Sequence, residues 1–144
     1  MGRGAVTATT IRRGWSTPAS ANSCGLAQSP CRRRGSSLPE DCIFCRIVAG
    51  EVPADEVART DGFLAFRDLN PRADVHVLVI PERHLETFRD VGELSAEESK
   101  RMLEFMAETA RGVGLHDYRV QLAVGAGGGQ EVFHLHWHIL GSAP

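Results

Sequence analysis

The pattern of apolar and polar positions after residue 55 predicts an antiparallel sheet. Segments 56–60 and 63–66 have the composition of strands, and Asp61-Gly62 between them is typical of a tight hairpin turn. Residues 75–80 are almost continuously apolar and rich in β-branched side chains. This composition predicts a buried strand, which Pro81 should end because proline has no N–H for a strand ladder.

Two more strands are predicted on either side of a glycine-rich segment, residues 125–130. Residues 118–124 alternate between polar and apolar positions before it, and residues 133–140 follow it. In the last strand the imidazoles should share one face while the apolar side chains between them face the core. The imidazoles belong to His134, His136 and His138. Half of the six histidines of the chain therefore lie on one strand face, which favours a functional site over isolated core histidines.

A long amphipathic helix is predicted between the two groups of strands. Ser95 and Glu98 form a capping-box sequence, in which each side chain bonds the backbone N–H of the other residue. The helix should run to about Arg111 and end at Gly112 or Gly114. Its predicted apolar stripe comprises Met102, Leu103, Met106, Ala107, Ala110 and Val113.

A short helix is predicted before the first strand. Asp41 can cap it, it should run to about Ala49, and Gly50 should stop it. Cys42 and Cys45 are three residues apart and would share a face of this helix. A Cys-x-x-Cys pair can be a redox pair, half of a metal site or a coincidence. Together the elements predict an α+β fold: an antiparallel sheet of about five strands, one long helix and a short N-terminal helix.

Charge is distributed unevenly along the chain. Residues 1–39 contain six arginines, no lysine and no acidic residue, whereas residues 40–144 contain ten basic and eighteen acidic residues, a formal charge of −8. An acidic domain argues against nucleic-acid binding, because that needs Lys and Arg along a surface. No apolar run in residues 1–39 is long enough for a secretory signal or a membrane span. We therefore expect no nucleic-acid partner, no membrane association and a cytoplasmic location.

The first 39 residues show no sustained apolar period and are predicted to be disordered. Three interpretations remain open: an organellar transit peptide, a mis-assigned start codon with translation beginning near Pro39, and a basic interaction tail. Cys24 and Cys31 lie in this segment and carry no readable spacing. The folded domain is predicted to comprise residues 40–144.

Several motifs together resemble the histidine triad (HIT) superfamily. His-Leu-His-Trp-His-Ile-Leu at 134–140 matches its signature of three histidines alternating with apolar residues. Gly-Gly-Gln-Glu-Val-Phe at 128–133 is similar to the approach to that signature in the HINT branch. Upstream segments that fit in order and spacing are 42–53, 65–71 and 76–81. The resemblance begins near Glu40, which favours a dispensable leader or a false start for the residues before it.

The resemblance implies a nucleotidyl-transfer site that works through a covalent nucleotidyl-histidine. By motif position His136 would attack the α-phosphorus, for which an imidazole with an ordinary pKa of about 6.5 is available unprotonated. His138 would stabilise charge on the phosphate oxygens and His76 would pack beside them. Asp68 would accept hydrogen bonds from the ribose hydroxyls. The implied base pocket contains Phe44, Ile43 and Leu64, and the implied phosphate cradle contains Gln130, Glu131 and Val132.

The implied activity is hydrolysis of purine nucleoside phosphoramidates of the adenosine 5′-phosphoramidate type. The alternatives are a catalytically weak purine-nucleotide-binding module and a dinucleoside polyphosphate hydrolase. A redox or metal-sensing protein centred on the Cys-x-x-Cys pair is a further hypothesis.

The same resemblance implies a structural zinc ion and a homodimer. HINT proteins with Cys-x-x-Cys bind zinc through both cysteines and two histidines, a closed tetrahedral shell. The corresponding residues here are Cys42, Cys45, His84 and His134. Members of the family commonly pair so that two sheets become one, which makes the 102–113 helix and the 118–124 strand candidates for the interface.

Three features depart from the pattern of the HINT branch. Glu131 stands where a Ser or Thr is usual, Ala123 stands where an Asn is common, and the chain ends six residues after His138. A carboxylate close to a phosphate repels it, which is the basis of the hypothesis of weak catalysis. These departures concern catalytic efficiency and phosphoramidate preference, and leave the predicted fold unchanged.

Overall fold

The computed structural model describes residues 41–142, so the predictions for residues 1–39, Cys24 and Cys31 lie outside the described residues. The helices are α1 (Ile43–Val48) and α2 (Ala96–Gly112), and the strands are β1 (Glu56–Thr60), β2 (Phe63–Arg67), β3 (Val75–Pro81), β4 (Tyr118–Gln121) and β5 (Trp137–Gly141). Short 3₁₀ turns cover Phe88–Glu93 and Ala126–Gly128. No helix within the described range is long and apolar enough to cross a bilayer.

The strands form one antiparallel sheet in the order β1-β2-β3-β5-β4. The last strand is therefore inserted beside β3, where Leu78 faces His138 and His76 faces Leu140. His76 and His138 lie on the same face of the sheet, in diagonal positions of the β3–β5 pair, so this register brings their side chains next to each other. The predicted α+β fold, with five strands, one long helix and a short N-terminal helix, is confirmed.

The two faces of the sheet carry different cores. One core lies under α2 and includes Val77, Leu135, Trp137 and Ile139 from the central strands. The other lies under α1 and consists of Phe44, Ile47, Leu64, Phe66, Leu78 and Ile80. The alternation in 134–140 sends the apolar side chains towards α2, which leaves the histidines on the side of α1.

The predicted strand 133–140 is shorter than expected, because its ladder begins only at Trp137, opposite Val79. The backbone just before it leaves the sheet: the Leu135 N–H donates to the Leu85 carbonyl over 2.6 Å. Proline at position 81 ends β3 and has no N–H to continue the pairing. His134 and His136 thus precede the ladder, whereas His138 lies inside it.

Two local predictions need correction. The N-cap of α1 is Cys42 rather than Asp41. In α2 the predicted stripe wrongly included Leu103, which is 61% exposed. Leu103 is not on the face of the buried side chains, which recur every three or four residues starting from Met102: Met102, Phe105, Met106, Thr109 and Ala110. The capping box is confirmed, with the Ser95 hydroxyl accepting from the Glu98 N–H and the Glu98 carboxylate accepting from the Ser95 N–H.

Candidate active site and metal site

A cavity of about 290 Å³ lies between α1 and the sheet face opposite α2. Its apolar part is lined by Ile43, Phe44, Ile47, Phe66 and Leu78. Its polar part is lined by Asp68, Arg72, His136 and His138. An apolar slot that opens onto convergent polar groups suits a ligand with a flat apolar end and a charged end.

A backbone carbonyl two residues earlier fixes which ring nitrogen of neutral His136 carries the proton. The Nδ1 atom lies 2.6 Å from the backbone carbonyl oxygen of His134. A carbonyl oxygen only accepts hydrogen bonds, so Nδ1–H must be the donor. The Nε2 atom of His136 therefore keeps its lone pair, which is the form that a nucleophile or a base needs.

A second hydrogen-bond chain sets the tautomer of His138. The backbone N–H of Arg72 donates to Nδ1 of His76 over 3.2 Å, so the proton of neutral His76 lies on Nε2. This Nε2 lies 2.8 Å from Nδ1 of His138 and donates to it. The remaining proton of His138 is consequently on Nε2. The cavity thus has one imidazole with a free lone pair and one with a free N–H.

Burial favours the neutral form of the rings of His138 and His76. Desolvation, followed by the neighbouring His136, His76 and Arg72, lowers the pKa of His138 to about 4, while Asp68 opposes them. Desolvation also lowers the pKa of His76, despite the raising effect of Asp68. At neutral pH both rings therefore act through hydrogen bonds rather than through a positive charge.

Asp68 is aimed by a tight turn at the end of β2. Its Oδ1 accepts from the Asn70 N–H over 2.8 Å, and its backbone N–H donates to the His76 carbonyl over 3.0 Å. Its Oδ2 lies 3.3 Å from Nε2 of His76 and 4.0 Å from Nδ1 of His138. The carboxylate thus lines the cavity while it touches the pair of histidines.

Two predicted nucleotide-binding residues lie elsewhere. Leu64 is completely buried in the core beneath α1. Gln130 is 4% exposed, and its amide joins three backbone segments: it accepts from the Gly125 N–H and donates to the carbonyls of Glu86 and Val132. Neither is among the described residues that line the cavity, and Gln130 holds the glycine-rich loop in place instead.

The other predicted nucleotide-binding residues line the cavity, together with two arginines that were not predicted, whereas His76 lies behind His138 and does not line it. Glu131 and Val132 form part of its rim. Arg67 and Arg72 also line it, and Arg67 lies 3.4 Å from Asp55. Neither arginine could be distinguished in the sequence from an ordinary exposed residue, because only the fold places them at the cavity.

The predicted metal ligands come together from three separate segments. The Sγ atom of Cys45 lies 3.2 Å from Nδ1 of His84, and Nδ1 of His134 lies 3.5 Å from both sulfurs, those of Cys42 and Cys45. Nε2–H of His134 donates to the Pro81 carbonyl over 2.9 Å, which turns Nδ1 towards the sulfurs. The four side chains lie close enough to hold a metal ion.

In the metal cluster, as we call these four candidate ligands, Cys45 and His134 are buried and Cys42 and His84 are half-buried. Desolvation, reinforced by Cys42, raises the pKa of the Cys45 thiol to about 12. Desolvation lowers the pKa of His134 to about 4 and also lowers that of His84. Burial thus favours the uncharged forms of Cys45, His84 and His134.

Comparison with known proteins agrees with this geometry. The family model described as the HIT domain matches residues 49–144. Protein HitA of Neisseria gonorrhoeae is 38% identical over 72% of this chain and 97% of its own length. A purine nucleoside phosphoramidase of Escherichia coli K12 is 37% identical over 74% of this chain and 92% of its own. The crystal structure of a HIT family hydrolase from Legionella pneumophila Philadelphia 1 superposes with a TM-score of 0.67 at 40% identity, covering 72% of this chain and 95% of that one. The chain belongs to the HIT family.

Proposed function

We propose that this protein hydrolyses purine nucleoside phosphoramidates of the adenosine 5′-phosphoramidate type through a nucleotide covalently bound to His136. The observation that carries the proposal is the bond from Nδ1–H of His136 to the His134 carbonyl, which leaves a nucleophilic Nε2 beside the donor His138. The similarity to the E. coli purine nucleoside phosphoramidase supports this substrate class.

The nucleotide would lie along the cavity with its base in the apolar part. Phe44 and Ile43 on α1 offer flat and branched apolar surface to the base. Asp68 would accept hydrogen bonds from the ribose hydroxyls, since an ionised carboxylate is a pure acceptor. The phosphate would then meet His136 and His138, which line the polar end of the same cavity.

The reaction would proceed in two displacements at phosphorus. Nε2 of His136 attacks the α-phosphorus, the bond from phosphorus to the amine nitrogen breaks, and the amine leaves after gaining one proton from solvent. Water then attacks the adduct, loses a proton and releases the nucleoside monophosphate, which returns the lone pair to Nε2. In both steps Nε2–H of His138 donates to a phosphoryl oxygen, where negative charge develops.

Adenosine 5′-phosphoramidate tests the proposal directly. The protein should release AMP, and rapid acid quenching followed by peptide mass spectrometry should find a nucleotide adduct on His136. The variant His136→Ala should form no adduct. If that variant turns the substrate over at the unaltered rate, the assignment of the nucleophile is wrong.

Glu131 on the cavity rim favours a second candidate, a purine-nucleotide-binding module with weak catalysis. Its carboxylate adds negative charge where a substrate phosphate would enter. Tight AMP binding by calorimetry without turnover, together with turnover gained in Glu131→Ser, would select this candidate over the first.

The two cavity arginines favour dinucleoside polyphosphates as an alternative substrate within the same chemistry. Arg72 lines the cavity together with His138, and guanidinium groups pair well with phosphate oxygens. Comparison of kcat/KM on diadenosine polyphosphates and on adenosine 5′-phosphoramidate separates the two substrate classes.

We infer that the metal cluster binds a structural zinc ion. Zinc bonds of about 2.3 Å to sulfur and about 2.0–2.1 Å to nitrogen place tetrahedral S and N ligands about 3.5 Å apart. The observed separations of 3.2–3.5 Å between the sulfurs and the imidazole nitrogens of Cys42, Cys45, His84 and His134 fit that shell. Four protein ligands close the shell, so the ion would stabilise the fold rather than bind substrate. Elemental analysis of the purified protein should find one zinc per chain.

We further propose a homodimer that pairs through the edge of the sheet. Strand β4 ends the strand order, and Tyr118 and Val120 on it are 39% and 43% exposed. Leu103 on α2 is also exposed, so a partner would cover apolar surface as well as strand backbone. Sedimentation at micromolar concentration should give the mass of two chains, and a monomer would remove this proposal. The cytoplasmic location stays a prediction.

A further inference from the structure

The metal cluster is joined to the apolar end of the catalytic cavity through α1. Ile43 and Phe44 lie between Cys42 and Cys45 in the chain, and both line the part of the cavity assigned to the base. Phe44 is also buried, so its ring has little room to move independently of the backbone. A change in the separation of the two cysteines therefore shifts the residues that would hold the base.

The metal cluster is joined to the polar end of the cavity through His134. Its ring belongs to the cluster, and its carbonyl accepts from Nδ1–H of His136 over 2.6 Å. The rings of both histidines also stand edge-on to Phe44, with centroid separations of 5.8 and 5.4 Å. Without the sulfurs, the ring of His134 would keep only its bond to the Pro81 carbonyl. The carbonyl that orients the nucleophile would then be held less firmly.

One sulfur of the cluster can be reached from solvent. Cys42 is half-buried and lies with His84 on the wall of a surface depression of about 450 Å³. Cys45 is 2% exposed and lies behind it. All the ligand atoms of the cluster lie within 4.8 Å of one another, whereas a disulfide needs about 2.05 Å between sulfurs. A modest movement of α1 would thus join the pair after a small oxidant has reacted with Cys42.

The two sulfurs together can act as a two-electron reductant towards a peroxide. The thiolate of Cys42 attacks one oxygen of hydrogen peroxide, the O–O bond breaks, and hydroxide leaves a sulfenic acid behind. The thiolate of Cys45 attacks that sulfur, the S–S bond forms, and the S–O bond breaks with loss of a second hydroxide. Two protons from solvent convert both hydroxides to water. A disulfide holds no thiolate, so neither sulfur remains a ligand for zinc.

We propose that Cys42 and Cys45 form a redox switch that controls the catalytic cavity. In the reduced state the two thiolates bind zinc and hold α1 and His134 in the positions described above. Oxidation to the disulfide releases the ion, moves α1 and loosens His134, and the enzyme loses activity. The effect on turnover rests on the proposed function, whereas the disulfide and the release of zinc do not.

Treatment of the zinc-loaded full chain with hydrogen peroxide tests the switch. A chromogenic indicator should report one zinc released for each disulfide formed. Trypsin should yield peptide 35–46, which contains Cys42 and Cys45 and no other cysteine, and its mass should be lower by two hydrogens. Turnover of adenosine 5′-phosphoramidate should fall roughly 10-fold or more in step with zinc release, because small displacements of catalytic groups have effects of this size. Dithiothreitol with added zinc should restore it.

Variants of the four cysteines separate this pair from oxidation elsewhere. The double variant Cys24→Ser, Cys31→Ser keeps the cluster and is the matched control, so it should respond to peroxide as the wild-type protein does. The variant Cys42→His supplies a fourth ligand without a second sulfur. It should bind zinc and keep its turnover at the peroxide dose that inactivates the wild-type protein. An equal loss of turnover in this variant would overturn the switch.

The remaining outcomes distinguish the switch from the proposed function. Zinc release without the disulfide, or the disulfide with unaltered turnover, overturns the switch and leaves the proposed function standing. Absence of turnover in the reduced, zinc-loaded protein refutes the proposed function instead. Calorimetry with AMP then tests the switch by itself: binding that is lost on oxidation and regained on reduction supports it, and binding that oxidation leaves unaltered overturns it.

Discussion

The last three histidines of the chain fall into two groups with opposite surroundings: His134 alone, and His136 with His138. His134 is completely buried, and both of its ring nitrogens face protein atoms: a carbonyl on one side and two sulfurs on the other. His136 and His138, two and four residues later, line an open cavity. Identical side chains on one segment thus differ in the partner of the second ring nitrogen and in access to a cavity, and this difference is the basis of the separate roles proposed for them.

The two groups are nevertheless joined through one residue. The ring of His134 belongs to the metal cluster, while its backbone carbonyl orients His136 over 2.6 Å. A movement of His134 would therefore disturb both. Substitution in one group, with measurement of the other, separates their contributions.

The largest expected effect is on turnover when the nucleophile is removed. His136→Ala should lower kcat on adenosine 5′-phosphoramidate by roughly 10³-fold or more, because the covalent path is lost. Initial rates of AMP release measure this, and zinc content measured on the same sample should remain at one per chain. A loss of zinc in this variant would show that the two groups are not separable.

The next effect is on the tautomer of His138. His76→Phe removes the Nε2–H that donates to Nδ1 of His138, so kcat should fall roughly 10- to 100-fold through loss of a fixed donor. Nitrogen chemical shifts of the His138 ring should report a mixture of tautomers in the variant. The control is His116→Asn, which changes an exposed loop histidine and should alter neither quantity.

Removal of the metal should reduce stability before it reduces chemistry. Exhaustive chelation should lower the melting temperature by about 10 °C or more, because the ion binds the folded chain and not the unfolded one. Cys45→Ser should show a similar low melting temperature that chelation lowers no further. An unaltered melting temperature in the chelated wild-type protein would remove the structural role of the cluster.

The smallest expected effect is a pH dependence of the free energy of unfolding, caused by His138 in the cavity. The pKa of His138 is about 4 in the folded protein, lowered first by burial and then by His136, His76 and Arg72, with Asp68 opposing, and about 6.5 when unfolded. The unfolded chain therefore binds more protons between these values, so the free energy of unfolding should rise from about pH 4 to about pH 6.5 and then level off. Urea titrations across this pH range measure the free energy of unfolding, which should rise less steeply with pH in His138→Gln than in the wild-type protein. An equal rise of the free energy of unfolding with pH in that variant would contradict the assignment of this pH dependence to His138.

Much of the fold followed from short-range patterns in the sequence. The Asp61-Gly62 hairpin, the capping box at Ser95 and the buried strand predicted over 75–80 depend on a few neighbouring residues each, and all three are confirmed, the strand including Pro81 as its last residue. Family membership was predictable because the histidine signature is contiguous in the sequence, and the match to the HIT domain confirms it. The roles of the individual site residues stay predictions.

The sequence by itself determined which side chains alternate, which elements form and in what order, and which residue types are able to bind a metal or attack phosphorus. Only the tertiary structure decided that Leu64 is core, that Gln130 holds a loop, and that Arg72 borders the cavity. It also decided which nitrogen of His136 carries the proton, through the His134 carbonyl. The physical reason is that burial and hydrogen-bond partners depend on contacts between segments distant in the chain, such as β3 with β5, whereas periodicity records only neighbours.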